Sequence, residues 1–240
     1  MTSTELRLLS SFGIAVDGTP SAAPSPGSQR LVVLLALRDR VVSRAAVAGA
    51  LWPDVSTDLA ALRLRAALTR LDSAARSVVD LMPGGLRLDA GCAVDYREAR
   101  AYAESLLEPE HPLHHETAAQ TRASIEVLCL ELLPDSYDDW VLSEAEDWRL
   151  LRAAALEALT AALSANNRPH LAMSAAQAAI RNEPLRETAQ AALIRLHLVA
   201  GNQHEALRVY ERYAEVLYET LQLSPSPLLR TLVEELAPQS

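Results

Sequence analysis

The chain has no lysine: all 22 of its basic residues are arginine. Codon usage in a GC-rich genome accounts for the bias. Its absence removes the lysine of a nucleotide-binding P-loop, and no Gly-rich phosphate loop is found either. Only one Phe occurs in 240 residues, so the core must be built from Leu, Ala and Val, a mixture that favours helix over sheet. Two cysteines, Cys92 and Cys129, are too few for a disulfide framework and suit a reducing compartment. No N-terminal apolar stretch reads as a signal peptide and no run is long enough to span a bilayer, which predicts a cytoplasmic protein without a membrane partner. No catalytic constellation is present, nor any metal-spaced set of Cys and His. The expectation is therefore a non-enzyme with no cofactor and no metal. His111, His114, His115 and Glu116 cluster in a linker that begins at Pro109, and they read as solvated loop residues, because a structural metal site needs geometrically fixed ligands.

What the C-terminal part does contain is a repeat of 34 residues. Leu159 recurs as Leu193, Ala172 as Ala206, and the polar break Asn167-Arg168 as Gly201-Asn202. This is the period of a tetratricopeptide unit, two antiparallel helices per repeat. Such a unit buries its apolar face only by stacking on neighbours, and the stack offers a groove to a partner. The pattern predicts helices over Glu144–Ala165, Pro169–Arg181, Pro184 to Gly201 and Gln203–Leu221, then a capping helix over Pro225–Leu236. Tyr210, Tyr213 and Tyr218, at helical spacing, are expected in the core.

The N-terminal part reads differently. Leu6–Leu9 and Phe12–Val16 are expected strands, with Asp17-Gly18 as a turn. A loop over Pro20 to Ser28 leads into a helix Gln29–Leu37, N-capped by Ser28. Ser43 caps a second helix, Arg44–Leu51, stopped by Trp52-Pro53. Ser56 or Thr57 caps a third, running from Asp58 to about Ala75. Val78–Met82, the turn Pro83-Gly84-Gly85 and Leu86–Asp89 form a hairpin. Strands, three helices and a hairpin is the order of a winged helix-turn-helix, whose third helix enters the major groove. Ala61, Leu64, Leu68 and Leu71 make its expected core stripe, which leaves Leu62, Ala66, Thr69, Arg70 and Ser73 facing outward and Arg63 and Arg65 on the flanks. Arg holds guanine edges or phosphates, and Thr touches base edges or thymine methyls. Arg63, Arg65, Thr69 and Arg70 are thus candidate DNA contacts, with Arg76 and Arg87 reaching phosphates from the helix end and the wing.

Charge is unevenly placed. Residues 1–100 hold 12 Arg against 10 acids, whereas residues 101–240 hold 10 Arg against 21. Such asymmetry suits a nucleic-acid module joined to an acidic one, although the N-terminal excess is small for a DNA binder. Asp135, Asp138, Asp139, Glu144, Glu146 and Asp147 surround Trp140 and Trp148. They read as carboxylates at a helix start, with both indoles packed against neighbouring helices.

Two groups of motifs carry a family likeness. The first is Gln29-Arg30-Leu31 to Trp52-Pro53-Asp54 with Leu64-Arg65-Ala66-Ala67-Leu68-Thr69-Arg70-Leu71. The second is Glu131-Leu132-Leu133-Pro134, Tyr137 to Val141, Glu183 to Glu187, Gly201-Asn202 through Arg212, and Leu223 to Leu229. In this order they resemble the Streptomyces antibiotic regulatory protein family. That resemblance implies a mainly α fold with a small β part: a winged helix-turn-helix over residues 1–92, then a tetratricopeptide-like bacterial transcriptional activation domain over residues 93–240. It implies an activator that binds promoter repeats in double-stranded DNA and contacts RNA polymerase, with homo-oligomer formation left open. The chain departs from the family at Ser28, Leu62, Thr69 and Asp72. A carboxylate at Asp72 would repel phosphate, and DNA affinity comes largely from phosphate neutralisation. The alternative is a helical-repeat adaptor whose winged helix binds DNA weakly or not at all. A third, a regulator gated by a small molecule, has no positive support in the sequence.

Overall fold

The computed structural model describes residues 3–108 and 117–234. The histidine-rich linker and Leu236 lie outside the described residues. Cα packing divides the chain into two compact units, residues 1–98 with 131–148 and residues 99–130 with 149–240.

In the first unit, β1 (Thr4–Arg7) pairs antiparallel with β2 (Gly13–Val16), which pairs with β3 (Thr19–Pro20). Asp17 and Gly18 join β2 to β3 with left-handed φ of 50° and 73°, a two-residue turn that matches the twist of the strands. The first strand begins and ends earlier than the sequence suggested. Leu8 and Leu9 leave the ladder because the Asp95 carboxylate accepts both of their amides, at 2.7 and 3.1 Å. A strand not foreseen in the sequence, β6 (Cys92–Val94), lies parallel to β1 and completes the order β3-β2-β1-β6. Burial pushes the Cys92 thiol up, as befits a packed core residue.

Helix α1 (Pro26–Arg38) starts before the expected Gln29. Ser25 caps it and Pro26 takes the first turn, where a missing N–H costs nothing. Ser28, the expected cap, is instead buried inside the helix with its hydroxyl 2.9 Å from that of Ser25. Arg97 closes the other end, donating to the Ala36 carbonyl at 2.9 and 2.7 Å and pairing with Asp39 at 2.9 Å. Helix α2 (Arg44–Leu51) has the predicted bounds and the predicted Ser43 cap.

Helix α3 (Thr57–Thr69), capped by Ser56, is shorter than expected. It does not run on to Ala75. The Asp72 carboxylate accepts the Ala75 amide at 2.7 Å and starts a separate turn, α4 (Ser73–Ser77). The hairpin β4 (Val79–Met82) and β5 (Gly85–Leu88) follows. It is pinned to the α1–α2 connection by reciprocal bonds between Val42 and Leu86, both 2.8 Å.

Helix α5 (Asp95–Leu106) begins in the first unit, where Tyr96 meets Trp148 edge-on with ring centroids 5.6 Å apart. The second unit contains α6 (Ala118–Leu128), which opens on a capping box between Thr117 and Gln120. The long helix α7 (Asp139–Ala165) starts earlier than the expected Glu144. Then come α8 (Pro169–Asn182), α9 (Glu187–Val199), α10 (Gln203–Leu221) and α11 (Pro227–Glu234). The Arg186 amide donates to the Glu183 carbonyl at 3.0 Å, a turn that keeps Pro184-Leu185-Arg186 outside α9.

The 34-residue period is visible in the backbone. Asn167 and Gly201, one period apart, both hold left-handed φ, 54° and 75°, at the turns before α8 and α10. Ala172 and Ala206 are both fully buried, as close helix approach requires. Of the three tyrosines expected in the core, Tyr213 is buried and Tyr210 packs at its edge, but Tyr218 is 58% exposed. It lies five residues beyond Tyr213, about 140° round the helix, and so faces away from the core.

Candidate nucleic-acid interface

The third helix owes its orientation to three small or medium residues. Ala60, Leu64 and Ala67, at i, i+4 and i+7, are its buried stripe. The expected stripe through Ala61, Leu68 and Leu71 is displaced: these three are only half-buried. The rotation is small, because small alanines pack closely where the larger leucines were expected. Of the face expected to point outward, Leu62, Thr69 and Arg70 are exposed, Ala66 is half-buried, and Ser73 belongs to α4. Leu62 is 57% exposed at its centre, with Thr69 two turns further along. Arg65 lies on one flank, and Arg63 and Arg70 on the other, all exposed.

Among the described residues, Arg63, Arg65, Arg70 and Arg76 form no ion pair. The Arg65 guanidinium only grazes the Ala61 carbonyl, at 3.4 Å. Thr69 donates its hydroxyl to the Arg65 carbonyl at 2.9 Å, so its methyl and one lone-pair side remain for an outside contact. Arg87 differs. It stands opposite Asp80 in the hairpin and donates to its carboxylate from both Nε and Nη2 at 3.0 Å. The pair fixes the wing surface and offsets the Arg87 charge. Asp72, expected to repel phosphate, is engaged as the α4 cap.

A glycine sets the wing. A Cβ at Gly85 would stand 2.1 Å from the Val42 carbonyl oxygen, so the hairpin approaches the α1–α2 connection only with glycine there. Sequence reasoning placed Gly85 in the turn and missed this contact. Nothing local announces it, because the partner is 43 residues away in sequence. Between α2 and α3 runs a groove of about 560 Å³, walled by Ala48, Trp52, Val55, Ala60 and Leu64, with Arg44 and Arg65 at its edge. Among the described residues no cluster of His, Cys, Asp and Glu is arranged to hold a metal. No helix among them is long and apolar enough to cross a membrane.

Residues 94–237 match the family described as "Bacterial transcriptional activator domain". Among curated proteins, none matches the chain. A solved structure with a similar fold is that of Mycobacterium tuberculosis EmbR, in complex with a low-affinity phosphopeptide. The TM-score is 0.65 at 23% identity, over 98% of this chain and 65% of that one. The chain therefore spans just under two thirds of the EmbR chain, and the likeness bears on the fold: a winged helix-turn-helix followed by an all-α helical part.

Proposed function

Because the chain belongs to the bacterial transcriptional activator domain family, we propose that it activates transcription by binding promoter DNA through the exposed face of α3. The resemblance to Streptomyces antibiotic regulatory proteins points the same way. The observation that carries the reading is local. Arg63, Arg65, Arg70 and Arg76 stand exposed and without ion pairs around an outward-facing helix. Arg65 and Arg70 are proposed to straddle the base edges with Thr69, while Arg63, Arg76 and Arg87 approach phosphates. Residues 1–92 would make the DNA-binding domain and residues 93–240 the activation domain, which meets RNA polymerase.

Salt dependence gives this reading a number. If Arg63, Arg76 and Arg87 each neutralise one phosphate, the slope of log affinity against log salt is about −2.7 per protomer, a loss of about 40-fold between 50 and 200 mM salt. The experiment is capture of genomic fragments by the purified protein, then titration of the best fragment across that range. A discrete site with such a slope supports the activator. No enriched sequence, with weak binding to all DNA, refutes it.

A second reading, a helical-repeat adaptor with little DNA binding, has one feature in its favour. A groove of about 380 Å³ on α8, α9 and α10 is walled by Ile180, Leu193, Val209 and Tyr213, with Arg181 and Arg212 at its edge. His197 also lines it, and its Nδ1 is buried without a hydrogen-bond partner. The refuting outcome above would turn attention to this groove.

A further inference from the structure

The groove between α2 and α3 is apolar at one end and cationic at the other, and it lies wholly within the first unit. On α2 it takes the face through Arg44, Ala48 and Trp52, at i, i+4 and i+8; on α3 it takes Ala61 and Arg65, at i and i+4. Residues 52–56 join the two helices, so the start of α2 and the far half of α3 both lie away from that turn. Trp52, Pro53 and Val55 therefore close the groove with apolar surface, while Arg44 and Arg65 stand at its open mouth. Its volume of about 560 Å³ falls in the range of small-molecule sites, about 300–1,000 Å³. No carboxylate lines it: Asp54 and Asp58 flank the turn but lie outside the groove. Neither arginine is ion-paired among the described residues, and Arg65 makes only the long contact to the Ala61 carbonyl at 3.4 Å. Two like charges at one mouth repel each other, and an anion between them turns that repulsion into attraction.

We propose that this groove binds an organic anion with an aromatic body, its carboxylate held by Arg44 and Arg65 and its ring against Trp52. The lining selects the charge, since it holds two uncommitted cations and no acid. The planar guanidinium fork suits a carboxylate, which it can hold through two parallel hydrogen bonds. The apolar end selects the body, because a small inorganic anion would leave Trp52, Pro53 and Val55 uncovered. Arg65 is also assigned to DNA base edges, so a carboxylate that holds it takes it from DNA. That competition rests on the DNA reading; the binding itself does not.

The test uses the indole N–H signals of the full chain in a ¹⁵N-correlated NMR spectrum. There are three tryptophans, Trp52, Trp140 and Trp148, and thus three signals. Trp52→Phe assigns its own signal; Trp140→Phe and Trp148→Phe assign it by elimination if that variant does not fold. The probe is 2-naphthoate, with 2-naphthamide as its neutral counterpart. The expected result is a saturable movement of the Trp52 signal with naphthoate and stationary Trp140 and Trp148 signals. The amide should bind about tenfold more weakly or worse, and Arg44→Gln and Arg65→Gln should each weaken naphthoate binding about tenfold, the worth of one charged hydrogen bond. A Cβ at Gly49, which lines the groove, meets nothing within 4 Å. Gly49→Leu therefore fills the groove with a better helix former and should abolish the movement in a folded spectrum. A Trp52 signal that stays still up to the solubility limit of naphthoate, or equal binding of the amide, would overturn the proposal. Competition is read separately, as weaker binding of the best DNA fragment at saturating naphthoate. Unchanged DNA affinity there would overturn the competition. A chain that binds naphthoate but no DNA refutes the DNA reading and leaves the anion site standing.

Discussion

Replacing Gly85 by alanine tests how the wing is held. The added methyl would sit 2.1 Å from the Val42 carbonyl oxygen and 2.7 Å from its carbon. Both neighbours are backbone, so no side chain can swing away. The hairpin must retreat, and the two reciprocal Val42–Leu86 bonds, each 2.8 Å, go with it. At about 0.5–1.5 kcal/mol net for each bond, the loss is roughly 2 kcal/mol before any exposure of Leu86 is counted. Leu86 is fully buried, so exposure only adds to the cost. For a chain of this size, about 2–4 °C of melting temperature accompanies each kcal/mol, which predicts a fall of about 4–8 °C. Gly84→Ala is the control, since a Cβ there meets nothing within 4 Å. It should change stability by no more than about 0.5 kcal/mol. Differential scanning calorimetry reads the pair, and amide exchange at Val42 and Leu86 localises the effect. Equal melting temperatures for the two variants would show that the close approach at Gly85 does not hold the wing.

Other expectations follow from single contacts. Arg65→Ala and Arg70→Ala should each weaken DNA binding by about 1–3 kcal/mol and relax sequence preference, because both are assigned to base edges. Unchanged affinity in both would remove α3 from the interface. Asp72→Ala should destabilise by about 1 kcal/mol through loss of the α4 cap, measured by urea unfolding. A gain in stability would mean that its charge, not its cap, dominates. Tyr213 is pushed up to about 12 by burial and by the Glu187 carboxylate beside it. An unfolded tyrosine loses its proton near about 10, so stability present below that pH declines as pH rises toward 12. Tyr213→Phe should remove that part of the decline in denaturation midpoints. An identical decline in the variant would contradict it.

Periodic features were legible in the sequence, and contacts between distant residues were not. The Ser43 cap and the Trp52-Pro53 stop fixed α2 to the residue, because both signals are local. The tetratricopeptide turns were equally plain, since Asn167 and Gly201 are residues that tolerate the left-handed backbone those turns need. Short strand β6 escaped notice: three residues without alternation gain their identity only from the register with β1. The α3 stripe was misplaced because leucine outweighs alanine in a hydrophobic pattern, while close packing here favours Ala60 and Ala67. Asp72 is the instructive case. Its charge suggested repulsion of phosphate, a charge it keeps while capping, and Ser-Ala-Ala after an aspartate is also the signature of a capped turn. As for the candidate contacts, the sequence named the exposed arginines of α3 but had no means to show that Arg87 would be taken up by Asp80 across the hairpin.

The net charge of −9 looks adverse to DNA binding, yet its distribution matters more than its sum. The excess of acids falls in residues 101–240. There, several arginines are consumed by neighbours: Arg149 by Glu183, Arg186 by Glu157, and Arg208 by Glu205. In the N-terminal unit Arg30, Arg87 and Arg97 are likewise paired. Against this background, four arginines on and just after α3 are left without an acidic partner among the described residues. A Debye length of about 8 Å at physiological salt confines the influence of exposed carboxylates to their surroundings. The potential that a phosphate meets is therefore set by the groups within a turn or two of α3. There the arginines face two carboxylates: Asp72, which caps α4 and keeps its charge, and Asp58, which lies on the Arg65 flank in the first turn of the helix and favours the helix itself. Asp58→Asn isolates that term. It should raise DNA affinity by a few-fold at 50 mM salt and by less at 200 mM. An equal gain at both salt concentrations would mean the residue acts on helix stability rather than on the phosphate field.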